Sequence, residues 1–147
     1  MEKLKIYHWK KKIWTDEKMD FSCIEIKKED NIQTFFSLDN KVLYNNSYPI
    51  SLYKDQKVIT YAINKNDLEV GLSNGEIKDK ESYCFFTYTY NTYSGRSGGC
   101  IVNQFTNDVI GIYRGGKKNE KVNYGIYIGN IIKFIKKSKE RIFNKVK

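Results

Sequence analysis

Apolar and polar positions alternate with a period of two over most of the chain. In residues 3–9, KLKIYHW, Leu4, Ile6 and His8 alternate with Lys5, Tyr7 and Trp9, as a half-buried strand requires. Short runs rich in β-branched and aromatic residues follow at 21–26 (FSCIEI), 32–38 (IQTFFSL), 56–63 (QKVITYAI), 68–72 (LEVGL), 83–90 (YCFFTYTY), 99–104 (GCIVNQ), 108–113 (DVIGIY) and 122–128 (VNYGIYI). Turn-forming clusters separate them, among them Asn45-Asn46-Ser47-Tyr48-Pro49, Ser73-Asn74-Gly75, Thr106-Asn107-Asp108 and Gly115-Gly116. From Asn130 the period changes. Ile131, Ile135, Ile142 and Val146, supported by Phe134 and Phe143, recur at helical spacing with lysines on the other face. The pattern predicts an all-β barrel or sandwich closed by one C-terminal amphipathic helix.

Composition narrows the function classes. The chain has 147 residues, the scale of one domain, and 15% of them are aromatic, bulk enough for a core and too much for a disordered chain. The net charge of +9 is terminal: residues 1–13 carry +4, residues 131–147 carry +6, and the stretch between them is close to neutral at −1. Of the 26 basic residues only Arg96, Arg114 and Arg141 are arginines, whereas forked recognition of phosphates and bases favours Arg. No specific nucleic-acid partner is therefore expected. A salt-sensitive basic surface on the helix, formed by Lys133, Lys136, Lys137, Lys139 and Arg141, stays open as a minor alternative for nucleic acid or a membrane surface.

Cys23, Cys84 and Cys100 are odd in number, widely spaced and without a C-x-x-C pair, which suggests neither a zinc site nor a disulfide framework. No metal or cofactor is expected. The first residues lack the apolar stretch of a signal peptide, and no run reaches the ~18 apolar residues of a membrane span. The expectation is a soluble, cytoplasmic chain with no transmembrane segment.

Candidate chemistry is concentrated in residues 92–100, TYSGRSGGC. Ser97 has Gly95 two positions before it and Gly98 and Gly99 after it, a context that exposes a hydroxyl on a tight turn with backbone N–H groups beside it. An acyl-transfer nucleophile needs such a setting, although glycine- and serine-rich turns between strands also occur without any function. A nucleophile elbow of the α/β-hydrolase kind needs a helix after the serine and a histidine later in the chain. Here the strand CIVNQ follows, and the only His, His8, comes earlier.

The order SGRSGGCIV, turn, VIGIYRGG, polar loop, NYGIYI and terminal helix resembles the C-terminal portion of the trypsin-like, chymotrypsin-fold serine peptidases. MDFSCIEI resembles the segment in which the triad Asp of that family opens a strand. The resemblance covers about residues 20–135 and implies a chymotrypsin-like antiparallel six-stranded Greek-key barrel with a C-terminal α-helix, at residues 48–147. Before it, residues 1–47 would be a remnant of the first barrel and the inter-barrel connection. Residue by residue it implies Ser97 as nucleophile, the N–H groups of Gly95 and Ser97 as oxyanion hole, and Asp20 as the carboxylate that orients the triad His. It further implies Thr92 as a wall of the primary specificity pocket, and Tyr113, Arg114 and Gly115 as the strand alongside bound substrate. In relatives that cut after Glu, a His stands where this chain has Tyr113.

The family's His lies well ahead of its Asp, in a loop of the first barrel. His8 has the right order but sits inside an alternating strand pattern. The resemblance thus implies a serine endopeptidase-family protein acting on a peptide or protein substrate, with an incomplete triad: a truncated or inactive copy. The alternative is a non-catalytic peptide- or protein-interaction module on the same fold, with a strand-pairing partner at the open edge of the first-barrel remnant.

Overall fold

A computed structural model describes residues 11–39, 41, 53–63, 68–79, 85–89, 96–117 and 122–145. The chain forms two compact units, residues 1–35 and residues 36–147.

In the first unit, β1 (Ile13–Asp16) and β2 (Phe21–Ile24) pair antiparallel, with Asp16 opposite Phe21. The loop between them is built from short polar side chains. Asp16 accepts the N–H of Met19 at 2.9 Å, and Asp20 adopts φ 57°, a left-handed conformation that Asp tolerates. A single 3-10 turn follows at Lys28–Asp30. There the Asp30 carboxylate accepts the Lys11 ammonium at 2.5 Å and the Lys27 N–H at 2.8 Å, and the Lys11 hydrogen bond holds its carboxyl below the usual carboxylate range.

The second unit contains β3 (Lys57–Ile63), β4 (Val70–Asp79), β5 (Phe85–Thr89), β6 (Cys100–Asn103), β7 (Val109–Lys117) and β8 (Val122–Tyr127). They close into a six-stranded antiparallel barrel in the order β3-β4-β5-β8-β7-β6, with β6 returning to β3. Closure gives each of the six strands a partner on both sides. Strand β3 shows why these residues form strands: Val58, Thr60 and Ala62 point inward and are buried, while Lys57 and Ile63 face out. The helix α1 (Ile128–Lys145) starts directly after β8 and packs on β7 and β8, with Ile128 and Ile131 buried.

Tyrosines make up much of the barrel interior. Tyr53, Tyr88, Tyr113 and Tyr127 join Val58, Ile77, Ile101 and Ile110 in one buried cluster. A buried phenol needs a partner for its hydroxyl. Tyr53 donates to the buried carboxylate of Asp39, Tyr113 donates to Asn123 Oδ1 at 3.1 Å, and the Tyr88 hydroxyl lies 3.4 Å from Thr60 Oγ1. Burial first, and then the Asp39 contact, push the Tyr53 phenol far above its ordinary pKa, so it stays a donor. Residues 37–39 are held to β7 by Val109 N–H to Ser37 O at 2.7 Å and by Asp39 N–H to Val109 O at 3.2 Å.

Three local expectations are corrected by pairing. Residues 32–38 do not form a strand: only Leu38 bridges Val109, and Ile32, Phe35 and Phe36 are exposed. Ser73, Asn74 and Gly75 are not a turn, because they pair with Thr60, Ile59 and Val58 in the middle of β4. Gly115 and Gly116 likewise lie within β7, opposite Tyr124 and Asn123, after a bulge. The hairpin strand β1 has no counterpart in the predicted set, and the expected strand at 3–9 lies outside the described residues.

The Tyr53 clasp yields a prediction. Tyr53→Phe keeps the ring but removes the donor to a buried carboxylate, so urea unfolding of the full chain should show a loss of about 1–3 kcal/mol with an unchanged m-value. Unchanged stability would mean that the carboxylate does not depend on this bond.

Candidate functional site

Residues 96–99 lead into β6 as a turn closed by Gly99 N–H to Arg96 O at 3.1 Å. Its third position, Gly98, has φ +92°, a conformation open to glycine and strained for other residues. Gly99 answers to a different constraint. A Cβ there would stand 2.5 Å from Tyr61 O and 2.7 Å from Ala62 Cβ, so β3 can approach only because the side chain is absent.

Two backbone hydrogen bonds bind this turn to β7: Gly98 N–H to Tyr113 O at 2.8 Å, and Tyr113 N–H to Gly99 O at 2.7 Å. They bring Ser97 onto the neighbouring peptide, where its hydroxyl donates to Arg114 O at 2.7 Å. Ser97 is exposed, whereas Arg96 is buried and its Nη1 donates to Ser73 Oγ on β4. The nucleophile candidate is therefore presented on a turn anchored to two different strands.

Of the residues singled out from the sequence, Ser97, Tyr113, Arg114 and Gly115 come together here. Tyr113 is buried, Arg114 exposed, and a Cβ on Gly115 would meet nothing within 4 Å. Asp20 belongs to the first unit, where it is exposed at the end of the β1–β2 loop immediately before β2. His8, Thr92 and Gly95 lie outside the described residues. The sequence reading did not single out Arg96, Ser73 or Asn123 as site residues. An arginine inside a glycine turn was a usable signal, because a long cation there must either extend into solvent or find a buried acceptor. Asn123, placed in the strand run VNYGIYI, gave none.

The chemistry available follows from Ser97 and its acceptor. A carbonyl oxygen fixes the hydroxyl's direction but is too weak a base to take its proton, so acyl transfer at useful rates needs a general base. Cys100, three residues on, is no substitute, since burial raises its thiol pKa and disfavours the thiolate. Among the described residues, no group of His, Cys, Asp and Glu could hold a metal ion, and no helix is long and apolar enough to cross a membrane.

No family model and no curated protein matches the chain. Solved structures do match. The serine protease domain of the Sesbania mosaic virus polyprotein is 17% identical with a TM-score of 0.54, over 81% of this chain and 60% of that one. A second Sesbania mosaic virus structure, concerned with aromatic interactions that drive the coupled folding and binding of the intrinsically disordered VPg protein, is 17% identical with a TM-score of 0.57, over 81% and 58%. A mutant of the tobacco etch virus protease is 12% identical with a TM-score of 0.54, over 80% and 48%. The chain thus spans about half to three fifths of the length of these structures. At this identity the likeness is one of fold: a chymotrypsin-like barrel with a C-terminal helix.

Two outcomes check the local account. Arg96→Ala should cost about 1–3 kcal/mol in urea unfolding, and a double-mutant cycle with Ser73→Ala should show a coupling of at least ~0.5 kcal/mol. Strict additivity would contradict the contact. Alkylation of Cys100 by iodoacetamide at pH 8 should be slower than that of a free thiol, with its inflection displaced above the usual pKa of about 8.5. Faster labelling would show a thiolate-stabilising site instead.

Proposed function

We propose that the second unit is a serine-peptidase-type site that receives an extended peptide beside Ser97, and that this chain by itself does not hydrolyse it efficiently because its triad is incomplete, with no general base beside Ser97 among the described residues. Ser97 takes the nucleophile's position, with the N–H groups of Gly95 and Ser97 as oxyanion hole. Tyr113, Arg114 and Gly115 form the substrate strand, and Thr92 a wall of the specificity pocket. Asp20 is assigned as the orienting carboxylate, and residues 1–47 as a remnant of the first barrel and the inter-barrel connection.

The observation that carries this reading is the 2.7 Å hydrogen bond from the Ser97 hydroxyl to Arg114 O, made on a glycine turn at the rim of a closed six-stranded barrel. On this reading the hydroxyl stands beside the strand along which a peptide would lie. Among the described residues the backbone pairing of β7 with the 98–103 segment runs as far as Tyr113, and on this reading a peptide adds as a strand beyond it, at Gly115 and Gly116. His8, the sole histidine, would have to supply the base. In a serine protease, removal of the base costs about 10⁶-fold in kcat, leaving ~10³–10⁴-fold over water from the oxyanion hole and binding.

A second reading is favoured by a separate observation. On the outer face of β3 and β4, Ile63 pairs with Val70 and Tyr61 with Leu72, and the Phe36 ring lies 5.4 Å from that of Tyr61. Ile63, Val70, Leu72 and Phe36 are each more than half exposed. An apolar face of this kind fits a non-catalytic module that holds a protein segment through aromatic and aliphatic contacts.

A fluorophosphonate probe, with peptidase assays on mixed peptides, tests the first reading. The expected result is no stoichiometric labelling of the full chain and turnover within a few thousandfold of buffer. Stoichiometric labelling at Ser97, abolished by Ser97→Ala, would show a working base and overturn the inactivity. Peptide binding that ignores Ser97→Ala and is lost on Tyr61→Ala would favour the module.

A further inference from the structure

Along residues 114–116, two glycines differ in what lies behind them. A Cβ on Gly115 would enter open space, whereas a Cβ on Gly116 would stand 2.4 Å from Asn123 Oδ1 and 3.2 Å from Val122 O. Gly116 and Asn123 are directly opposed partners in the β7–β8 ladder. The Asn123 carboxamide therefore lies against the backbone of β7 and fills the volume that a side chain at 116 would take.

This carboxamide is fixed. Asn123 is only 3% exposed, and its Oδ1 accepts the Tyr113 hydroxyl at 3.1 Å. Tyr113 is in turn braced edge-on by Tyr88, with ring centroids 6.4 Å apart and an interplanar angle of 70°. Tyr88 is fully buried, with its hydroxyl beside the equally buried Thr60. A chain of packed rings and hydroxyls thus backs the carboxamide from inside the barrel, so it cannot swing inward without breaking a buried hydrogen bond.

We propose that Asn123 is a specificity-determining residue of this site: its carboxamide plugs the inner side of the peptide-binding strand at Gly116, and the substrate class is peptides with a short side chain, Gly, Ala or Ser, at the position beside Ser97. The proposal rests on the reading of Ser97 and β7 as a peptide site. A peptide laid along β7 presents alternate side chains toward and away from the barrel, and the one that turns inward meets the carboxamide at the level of the backbone. Short side chains fit above it. Leucine or phenylalanine must displace it and leave the Tyr113 hydroxyl without its acceptor.

Equilibrium binding on the full chain carrying Ser97→Ala tests this without dependence on turnover. Hexapeptides that differ only in a C-terminal Ala, Leu or Phe are titrated, and backbone amide shifts in 15N spectra locate them. The Ala peptide should bind on the order of tenfold or more tighter than the others, the discrimination that a filled pocket gives per misfit group, with shifts at Arg114, Gly115 and Gly116. Adding Asn123→Gly should erase the preference. Asn123→Ser, which keeps a polar side chain on the strand, should reduce it.

Equal or tighter binding of the Leu or Phe peptide by the chain with Asn123 intact overturns the plug, whether or not the Asn123 variants fold. A preference that survives in a folded Asn123→Gly chain does the same. If none of the peptides shifts the amides of residues 114–116, the peptide-site reading itself fails and the plug falls with it. Binding there without discrimination leaves that reading standing and removes the plug alone.

Discussion

The second unit depends on the exchange of backbone hydrogen bonds between Tyr113 and the glycine pair Gly98 and Gly99. These two bonds, at 2.8 and 2.7 Å, join the turn before β6 to β7 and so extend the β6–β7 ladder to the barrel rim. They require a residue that accepts φ +92° at 98 and the absence of a Cβ at 99, where β3 passes at 2.5 Å from the would-be side chain. The position of Ser97 follows directly. Held between Arg96, which reaches back to Ser73, and Gly98, which is bonded to Tyr113, its hydroxyl meets Arg114 O. Among the described residues these bonds are the last backbone pairs between the β6 segment and β7, and on the proposed reading a peptide adds to β7 beyond them.

Behind the rim, tyrosine supplies both the bulk and the order of the core. Aliphatic side chains would fill the barrel equally well, but a phenol adds a hydroxyl that must be matched. The matches with Asp39, Thr60 and Asn123 are each specific. Tyr53 and Asp39 hold residues 37–39 to the barrel, and Tyr113 and Asn123 set the shape of the inner wall beside Gly116. Packing inside the barrel is in this way transmitted to the surface where a peptide would lie.

The barrel strands were legible where side chains alternate or where β-branched residues cluster, as in β3, β6 and β8. In the GRSGG segment the glycine signal was legible at Gly98 and Gly99, each of which answers to a backbone constraint. The misses have one physical origin. Ser73, Asn74 and Gly75 are turn formers by local chemistry, yet seven residue pairs with β3 hold them extended. Residues 32–38 have strand-like side chains but find a partner strand only at Leu38. Asn123 was invisible for the same reason, since its role comes from the glycine opposite it and the tyrosine hydroxyl beneath it, which are neighbours in space and distant in pattern. The sole histidine, which decides between enzyme and binding protein, belongs to a stretch outside the described residues.

On the proposed reading, Ser97 keeps the geometry of a nucleophile without the means to lose its proton, and what remains is the capacity to hold an extended chain. A crystal structure of the Ser97→Ala chain with a bound alanine-ended peptide tests this most directly. The account predicts the peptide as an added antiparallel strand on Gly115 and Gly116, with its terminal carboxylate within about 3–4 Å of residue 97. A peptide seated instead on the outer face of β3 and β4, over Tyr61 and Leu72, would contradict it.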